Sequence, residues 1–270
     1  MIDERALIHP SAKIGSDVTV GPWTFIGGNA VIGDDTQIDA HVMIGKNTVI
    51  GKNNKIYPYA SIGSDPQHIR YKGQETRLEI GNSNVIREFV TINRGTYEGH
   101  GVTSIGHNNY LMAYSHVAHD CRVRSHVIFA NTASIAGHVE VGDHANLGAF
   151  SGVHQFCRIG AYCFLGRAAK VYQDILPYML VTGNPGIPTA LNSVGLRRHG
   201  FNSKTMQSLK LAYRLIYRTN LKLEDIRIEL EKLAVETPEI NQLLLMINSS
   251  TRGFARYKNN EQLSTHDNLA

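Results

Sequence analysis

The chain has 270 residues, of which 42% are apolar, and a formal net charge of +4. The apolar content excludes wholesale disorder, the lack of any run of about 18 apolar residues argues against insertion into a membrane, and the small charge does not indicate nucleic-acid binding. The first ten residues, MIDERALIHP, carry acidic side chains and no apolar signal core, so we expect a cytoplasmic protein.

An aliphatic or phenylalanine side chain returns every six residues through most of the chain. Its positions are Ile8, Ile14, Val20, Ile26, Ile32, Ile38, Ile44, Ile50, Ile56, Ile62, Ile80, Ile86 and Ile92, then, shifted by one residue, Ile105, Leu111, Val117, Val123, Phe129, Ile135, Val141, Leu147, Val153, Ile159, Leu165 and Val171. A period of six matches neither an amphipathic helix nor a long flat strand, but it is typical of the hexapeptide parallel β-helix. Three hexads form one triangular turn of about 18 residues, and turns stack about 4.8 Å apart. This class coils left-handed, against the usual crossover rule.

The other positions of the hexad are also regular. Glycine often follows the aliphatic residue, which predicts a corner that needs either a positive φ or a close approach of two backbones. The fifth position is small or modestly apolar, and all three cysteines, Cys121, Cys157 and Cys163, fall there. We therefore expect buried packing residues, not metal ligands or nucleophiles. Three cysteines without a pairing pattern are consistent with a reducing compartment.

Two segments interrupt the repeat. HIRYKGQETRLE at 68–79 fills two hexads without the aliphatic signature, and RGTYEGHGVTS at 94–104 follows Ile92. Both are predicted to be loops that leave the coil. Loops on a rigid scaffold are common places for binding groups.

The repeat ends near residue 190, and the remaining pattern is helical. Helices are predicted over 203–218 and 223–235, and Thr237 followed by a proline predicts the start of a third. A solenoid needs its open strand edge covered, which a helical cap provides. The predicted fold is an all-β left-handed parallel β-helix (hexapeptide repeat) over 1–190 with a C-terminal α-helical domain over 191–257. Residues 258–270 resemble a disordered polar tail.

Four histidines, His116, His119, His138 and His154, occupy outward positions within about two turns of coil. We predict that His119, His138 and His154 stack as one column about 5 Å apart, because residues about 18 apart are neighbours on adjacent turns. Ordinary surface polarity, a zinc site and a catalytic base remain open at this point. In the last case His119 removes a proton while Asp120 or another carboxylate orients its ring. Neighbours on a strand face opposite ways, so direct pairing of His119 with Asp120 needs a corner between them.

Several longer strings resemble one family, the UDP-N-acetylglucosamine O-acyltransferase of lipid A biosynthesis. They are SHVAHDC, AGHVEVGDHA, GVHQFCRIGA, GLRRHGF, YKGQETRLEIG and IREFVTINRGT, and the similarity covers residues 1 to about 256. The resemblance implies a homotrimer with active sites in clefts between neighbouring coils. It implies transfer of an acyl chain, typically 3-hydroxylated, from acyl carrier protein to the 3-position of a UDP-linked glucosamine. Neither a cofactor nor a metal is expected.

The resemblance also implies roles for individual residues. His119 would be the general base, Asp120 would support it, and the backbone N–H of Gly137 would stabilise the oxyanion. The implied substrate contacts are Gln67, Arg70, His116, His138, His154, Gln155, Asn192 and Arg198. Of these, Asn192 and Arg198 would reach the nucleotide, and Gln67 and Arg70 would contact substrate from the first loop. Arg167 stands where the family often has a small residue, so it would shorten the accepted acyl chain.

Other positions depart from the family pattern. His68 replaces the usual aspartate of the first loop, Asn93 a histidine, Val194 a carboxylate and His199 an arginine. These changes touch donor and nucleotide recognition and suggest a variant substrate, such as a sugar with a 3-amino group.

Two alternatives remain beside this interpretation. One is a different hexapeptide-repeat acyltransferase, either an N-acyltransferase or an acetyl-CoA enzyme. The other is a non-enzymatic solenoid, which would show a repetitive flat face without clustered histidines. Basic residues concentrate at 195–200 and 210–218 and suit an acidic partner such as acyl carrier protein, although a solvated helix face explains the second stretch equally well.

Overall fold

A computed structural model describes residues 1–256, so the predicted tail at 258–270 lies outside the described residues. Most strands are two residues long, as a coil of short edges requires. They are β1 Leu7–Ile8, β2 Lys13–Ile14, β3 Thr19–Val20, β4 Phe25–Ile26, β5 Val31–Ile32, β6 Gln37–Ile38, β7 Met43–Ile44, β8 Thr48–Ile50, β9 Lys55–Ile56, β10 Ser61–Ser64, β11 Arg77–Ile80, β12 Val85–Ile86, β13 Thr91–Asn93, β14 Val102–Ile105, β15 Tyr110–Leu111, β16 His116–Val117, β17 Arg122–Val123, β18 Ile128–Phe129, β19 Ser134–Ile135, β20 Glu140–Val141, β21 Asn146–Leu147, β22 Gly152–Val153, β23 Arg158–Ile159, β24 Phe164–Leu165, β25 Lys170–Val171, β26 Met179–Thr182 and β27 Ile187–Leu191.

Successive strands pass to successive faces of a triangular coil, so up to β25 the strands that pair in parallel are three places apart in the chain. The first sheet has the order β1-β4-β7-β10-β13-β16-β19-β22-β25 and the second β2-β5-β8-β11-β14-β17-β20-β23. The third runs from β3 through β6, β9, β12, β15, β18, β21 and β24 to β26 and β27. This is the predicted left-handed parallel β-helix, and the prediction is confirmed.

The period-six side chains fill the interior of the coil. All of them are buried except Ile8 and Ile14, which lie in the first turn, where no preceding turn covers them. The fifth-position residues point inward as well. Cys121, Cys157 and Cys163 are buried and free, which confirms their predicted packing role. Burial raises the pKa of the Cys121 thiol to about 12, so it is not a nucleophile near neutral pH.

The corners show which of the two predicted reasons for glycine applies. Glycines such as Gly27 are required by close approach and not by positive φ, since a Cβ there would lie 2.7 Å from the backbone nitrogen of Lys46 on the next turn. The positive φ angles occur two residues further on, at non-glycine residues such as Asp120 (φ 59°) and His138 (φ 62°). The fold therefore holds these side chains in a left-handed backbone conformation that few residues adopt.

The first loop is shifted by three residues from its predicted bounds, and the second loop is three residues shorter than predicted. They cover 65–76 and 94–101, because residues 77–79 and 102–104 belong to β11 and β14. These strands are four residues long and pair with each other, with Arg77 opposite Val102 and Leu78 opposite Thr103. Arg94, which is buried, anchors both loops. Its guanidinium donates to the Gly63 carbonyl and bonds to Asp65 and the Tyr71 hydroxyl.

The C-terminal end adds an antiparallel hairpin of β26 and β27, which the sequence pattern did not indicate. The helices are α1 Ser193–Arg198, α2 Ser203–Tyr217, α3 Leu223–Glu236 and α4 Ile240–Ser249. The third predicted helix was expected to begin at Pro238, but α4 begins at Ile240, because Thr237 and Pro238 form a turn in which the Thr237 carbonyl accepts from Ile240 N–H. None of the described helices combines the length and apolar character needed to cross a bilayer.

Candidate active site

His119 and Asp120 form a hydrogen-bonded pair at the corner between β16 and β17. Asp120 has a φ of 59°, and this left-handed turn brings two adjacent side chains to the same side of the chain. His119 Nδ1 lies 2.9 Å from Asp120 Oδ2. The corner that direct pairing required is therefore present. With Nδ1–H donated to the carboxylate, Nε2 is the nitrogen left to accept a proton.

Asp120 is buried and is held by the second loop. Thr96 donates to it twice, from its backbone N–H and from Oγ1 at 2.6 Å, and His100 N–H donates at 2.9 Å. Burial by itself raises the pKa of Asp120, but the hydrogen bonds from His119, Thr96 and His100 outweigh it and lower the pKa to about 2. The carboxylate is therefore ionised at neutral pH and can stabilise an imidazolium on His119.

His138 lies on the next turn beside this pair. Its ring centroid is 5.3 Å from that of His119, and its Nε2 is 3.7 Å from Asp120 Oδ2. Burial lowers the pKa of His138, and the Asp120 carboxylate opposes that change. The prediction of one column through His154 is wrong, because Phe156 is the residue that stacks on His138, at 4.4 Å. Residues 18 apart share a position on adjacent turns, and His154 is only 16 residues from His138.

The backbone of Gly137 packs against the imidazole ring of His119. A Cβ at Gly137 would lie 2.6 Å from His119 Cε1, so only glycine lets the imidazole rest against the backbone here. Within residues 1–256, the N–H of Gly137 has no hydrogen-bond acceptor. A free backbone donor beside a base is the arrangement that stabilises an oxyanion in acyl transfer.

A cleft of about 470 Å³ opens over His119 on the outer face of the first sheet. It brings together six of the predicted site residues, namely Gln67, His116, His119, Gly137, His154 and Gln155. Burial and the neighbouring His119 lower the pKa of His116, whose Nδ1 lies 2.7 Å from Thr91 Oγ1. His116 is therefore expected to be neutral at physiological pH.

Asn192 and Arg198 lie elsewhere. They line a second cleft of about 960 Å³, on the outer face of the third sheet. Asn192 caps α1, since its Oδ1 accepts from Gly195 N–H at 3.1 Å and its Nδ2 donates to the Tyr162 carbonyl at 2.9 Å. Within one chain, the predicted nucleotide contacts are thus not brought to His119.

Two further predicted residues line neither cleft. Arg70 is exposed and forms an ion pair with Glu98 at 3.4 Å, which links the two loops. Arg167 is exposed, and its guanidinium lies 5.7 Å from the centre of the Phe150 ring. The expected effect of Arg167 on chain length stays a prediction.

Sequence reasoning missed three residues near the pair. Thr96 and His100 bind Asp120, and the ring of His68 lies 5.3 Å from that of His119, edge to face. His68 was noted only as a departure from the family pattern. All three come from the loops, and their only signal was a place in segments already predicted to carry binding groups.

His119, Asp120 and His138 also offer one ligand atom each within 4.8 Å of one another, a spacing that a metal ion can use. Both oxygens of Asp120, however, already accept hydrogen bonds from Thr96, and Oδ2 also from His119. A cation would have to displace these donors. The donor set therefore fits a hydrogen-bonded catalytic pair better than a metal site.

Comparisons with known proteins match both the repeat and the C-terminal part of the chain. Residues 174–255 match the second domain of the UDP-N-acetylglucosamine O-acyltransferase family, and residues 1–34 and 29–64 match the bacterial transferase hexapeptide repeat. The acyl-[acyl-carrier-protein]–UDP-N-acetylglucosamine O-acyltransferase of Alkalilimnicola ehrlichii is 56% identical over 94% of this chain and 99% of its own length. The enzyme of the same name from Thiobacillus denitrificans is 49% identical with the same coverage.

Solved structures of similar proteins share the fold. The UDP-N-acetylglucosamine O-acyltransferase of Moraxella catarrhalis superposes with a TM-score of 0.92 at 42% identity, over 94% of this chain and 99% of that one. The UDP-N-acetylglucosamine acyltransferase of Francisella novicida gives a TM-score of 0.94 at 41% identity, over 96% of this chain and 95% of that one. The likeness thus includes both the coil and the helical cap.

Proposed function

This chain belongs to the acyl-[acyl-carrier-protein]–UDP-N-acetylglucosamine O-acyltransferase family, and from that premise we propose that it transfers a fatty acyl chain from acyl carrier protein to UDP-N-acetylglucosamine, the first step of lipid A biosynthesis. One observation carries the proposal. A histidine paired with a buried, ionised aspartate lies against a glycine whose N–H is free, at the edge of a cleft with an apolar floor.

The geometry supports the following steps. His119 Nε2 takes the proton of the sugar hydroxyl, whose oxygen attacks the carbonyl carbon of the acyl thioester. The carbonyl oxygen becomes negative and accepts a hydrogen bond from Gly137 N–H. When the intermediate collapses, the carbon–sulfur bond breaks and the imidazolium of His119 returns its proton to the thiolate. Asp120 keeps Nδ1 protonated throughout and stabilises the charge on the ring.

We further propose the 3-position as the acceptor and a 3-hydroxylated chain as the donor. His68 replaces a usual carboxylate, and its ring lies 5.3 Å from that of His119, next to where the acceptor group must sit. An imidazole at this place can donate or accept a hydrogen bond, so it suits a 3-amino acceptor as well as a 3-hydroxyl. The three free, buried cysteines are consistent with our proposal that the protein functions in the reducing cytoplasm.

We propose a homotrimer in which each active site combines two chains. The outer face of the second sheet is charged, with Glu140 between Arg122 and Arg158 at 3.8 and 3.7 Å. The outer faces of the other two sheets each carry an apolar patch. Exposed Leu7, Phe25 and Met43 lie on the first sheet, and Tyr110, Ile128, Phe164 and Leu180 line the cleft on the third.

The corner between the third and the first sheet supports the same arrangement. Tyr59, Phe89 and Tyr114 stack along it at 5.1 and 4.8 Å, and each is exposed. Three copies that pack around this corner place the first sheet of one chain against the third sheet of the next. The cleft with Asn192 and Arg198 then faces the cleft with His119 on a neighbouring chain, which completes the site.

The proposed reaction is tested by mixing purified protein with 3-hydroxyacyl carrier protein and either UDP-N-acetylglucosamine or its 3-amino analogue. The mass of the sugar product is then measured by mass spectrometry. We expect one acyl chain on the sugar. Transfer from acetyl-CoA with none from acyl carrier protein would contradict the proposal and favour another hexapeptide-repeat acyltransferase.

The shared site is tested with two variants, His119→Ala and Arg198→Ala. Each alone should be nearly inactive, whereas subunits mixed by co-expression should regain activity, because some interfaces then pair an intact His119 with an intact Arg198. If light scattering shows a trimer but mixing restores nothing, the clefts do not act together. A monomeric mass would refute the assembly.

A further inference from the structure

Three histidines form a stack in the cleft that contains Asn192 and Arg198. The rings of His126 and His144 lie face to face at 4.6 Å, because both residues occupy the same left-handed corner on adjacent turns of the coil. The ring of His199, at the C-terminal end of α1, lies 4.7 Å from that of His144. All three histidines line the cleft on the outer face of the third sheet. The cleft therefore carries three groups of the kind that gain a proton near neutral pH.

The side chains of this cleft have no acidic member. Arg198 is exposed and lines the cleft, and no carboxylate is among its lining side chains within residues 1–256. Val194 and His199, two of the departures from the family pattern, both lie here. A protonated imidazole can donate a hydrogen bond from either nitrogen. A cleft with one fixed cation, three imidazoles and no acid therefore suits an anionic ligand.

His144 is the half-buried member of the stack. Its Nδ1 is buried and has no hydrogen-bond partner among residues 1–256. Burial lowers the pKa of His144, and the neighbouring His199 and His126 lower it further, whereas Asp143 opposes the change. Asp143 does not line this cleft, and its Oδ1 accepts from Ser125 N–H at 2.9 Å. The other charged or titratable side chains of the two clefts that His144 lines are Tyr110, Arg124, Glu140, Arg158, Tyr162 and Arg198.

We propose that His126, His144 and His199 bind the diphosphate of the sugar nucleotide together with Arg198 and take up a proton as it binds; this inference rests on the proposed acyl transfer to UDP-N-acetylglucosamine. The diphosphate of a nucleotide sugar is a dianion with no group of its own that titrates near neutral pH. An anion within about 4–6 Å favours the charged form of an imidazole. The diphosphate thus offsets both the burial of His144 and the repulsion between protonated rings.

Proton uptake makes the affinity for the nucleotide depend on pH. The pKa of the stack is higher in the complex than in the free protein, so the complex binds more protons in the pH range between the two values. Within that range the affinity should rise as the pH falls, by up to about tenfold per pH unit for each proton taken up. Above the higher pKa the affinity should no longer change with pH through these residues.

Calorimetric titration of the full chain with UDP-N-acetylglucosamine, without an acyl donor, tests the inference. Titrations at pH 7 in two buffers of different ionisation enthalpy measure the protons taken up, and we expect uptake in the wild type. The double variant His144→Phe with His199→Phe keeps the aromatic stack and removes the titrating nitrogens. It should lose most of the uptake and bind about 10- to 100-fold more weakly than wild type at pH 6. At pH 8 it should differ much less.

Arg198→Gln is the matched control, because the charge of an arginine does not change in this pH range. This variant should bind more weakly by a similar factor at pH 6 and pH 8, and it should still take up the proton. Thermal unfolding checks that the variants fold. If the double variant does not fold, His199→Phe alone, at an exposed position, should lower the uptake in the same direction.

Two results would overturn the inference. One is wild-type protein that binds UDP-N-acetylglucosamine without proton uptake. The other is undiminished uptake in the folded double variant, which would assign the proton to His119 or its neighbours. Wild-type protein without affinity for UDP-N-acetylglucosamine at either pH would refute the proposed function itself, which separates the two failures.

Discussion

The hydroxyl of Thr96 offers a direct test of how the second loop supports the pair of His119 and Asp120. Thr96 Oγ1 and His119 Nδ1 both bond to Oδ2 of Asp120, at 2.6 and 2.9 Å. Thr96→Val removes the hydroxyl and keeps the shape. A hydrogen bond to a charged group contributes about 1.5–3 kcal/mol to stability, so the free energy of unfolding at pH 7 should fall by about that amount. If the whole loss is felt in the transition state, kcat falls about ten- to hundredfold.

The effect of pH follows from the pKa of Asp120. Its folded value of about 2 lies below the ordinary 3.8, so ionisation of Asp120 stabilises the fold above the ordinary value, and this stabilisation is lost as pH falls toward 2. Thr96→Val should raise the folded pKa, because one donor to the carboxylate is gone. The stabilisation then shrinks, and acid unfolding should begin at a higher pH than in wild type.

Urea unfolding between pH 3 and 7 measures the stability, and steady-state kinetics at pH 7 measure kcat and KM. Thr96→Ser keeps the hydroxyl, so this variant should have most of the wild-type stability and most of the wild-type kcat. We expect KM to change little, since Thr96 lines neither cleft. Wild-type stability and kcat in Thr96→Val would refute the argument. Equal damage in Thr96→Ser would show that the methyl group, not the hydrogen bond, is what matters.

Three other predictions concern the proposed mechanism. His119→Ala should lower kcat by about 10²–10⁴-fold with an unchanged unfolding curve, and comparable turnover in that variant would remove His119 as the base. Gly137→Ala should lower kcat strongly, because its Cβ would lie 2.6 Å from His119 Cε1 and must push the ring away; a fully active variant would show that the ring has room to move. Activity should survive thorough chelation, as measured after dialysis against a chelator, whereas a loss that zinc reverses would favour a metal at His119, Asp120 and His138.

The coil could be predicted because its information is local. Every turn has to fill its own interior, so residues such as Ile26 and Ile135 recur at a fixed interval whatever lies outside. The cysteines at fifth positions were placed correctly for the same reason. The two loops were predicted, but the residues at which they end were not. Leu78 and Thr103 pair with each other and so belong to strands of four residues that follow the loops.

The site was predicted only in part. His119 was singled out correctly as the centre of a cluster, and the resemblance to a family named its partners. The prediction that His154 stacks on His138 was wrong, because residues 16 apart do not occupy the same position on adjacent turns of the coil. Phe156 stacks on His138 instead. Thr96 and His100 could not be assigned to Asp120 from the sequence, because they lie 24 and 20 residues from it in a loop of irregular backbone.

The sequence by itself determined the triangular coil, the helical end and the turn that carries His119 and Asp120, because the residues that a regular coil buries recur at a fixed interval in the sequence. Only the tertiary structure decided that Asp120 turns back onto His119 and that the second loop supplies three donors to its carboxylate. These contacts depend on a left-handed corner and on insertions that change the number of residues per turn, so that Thr91 lies opposite His116, 25 residues away. No repeat in the sequence encodes such distances.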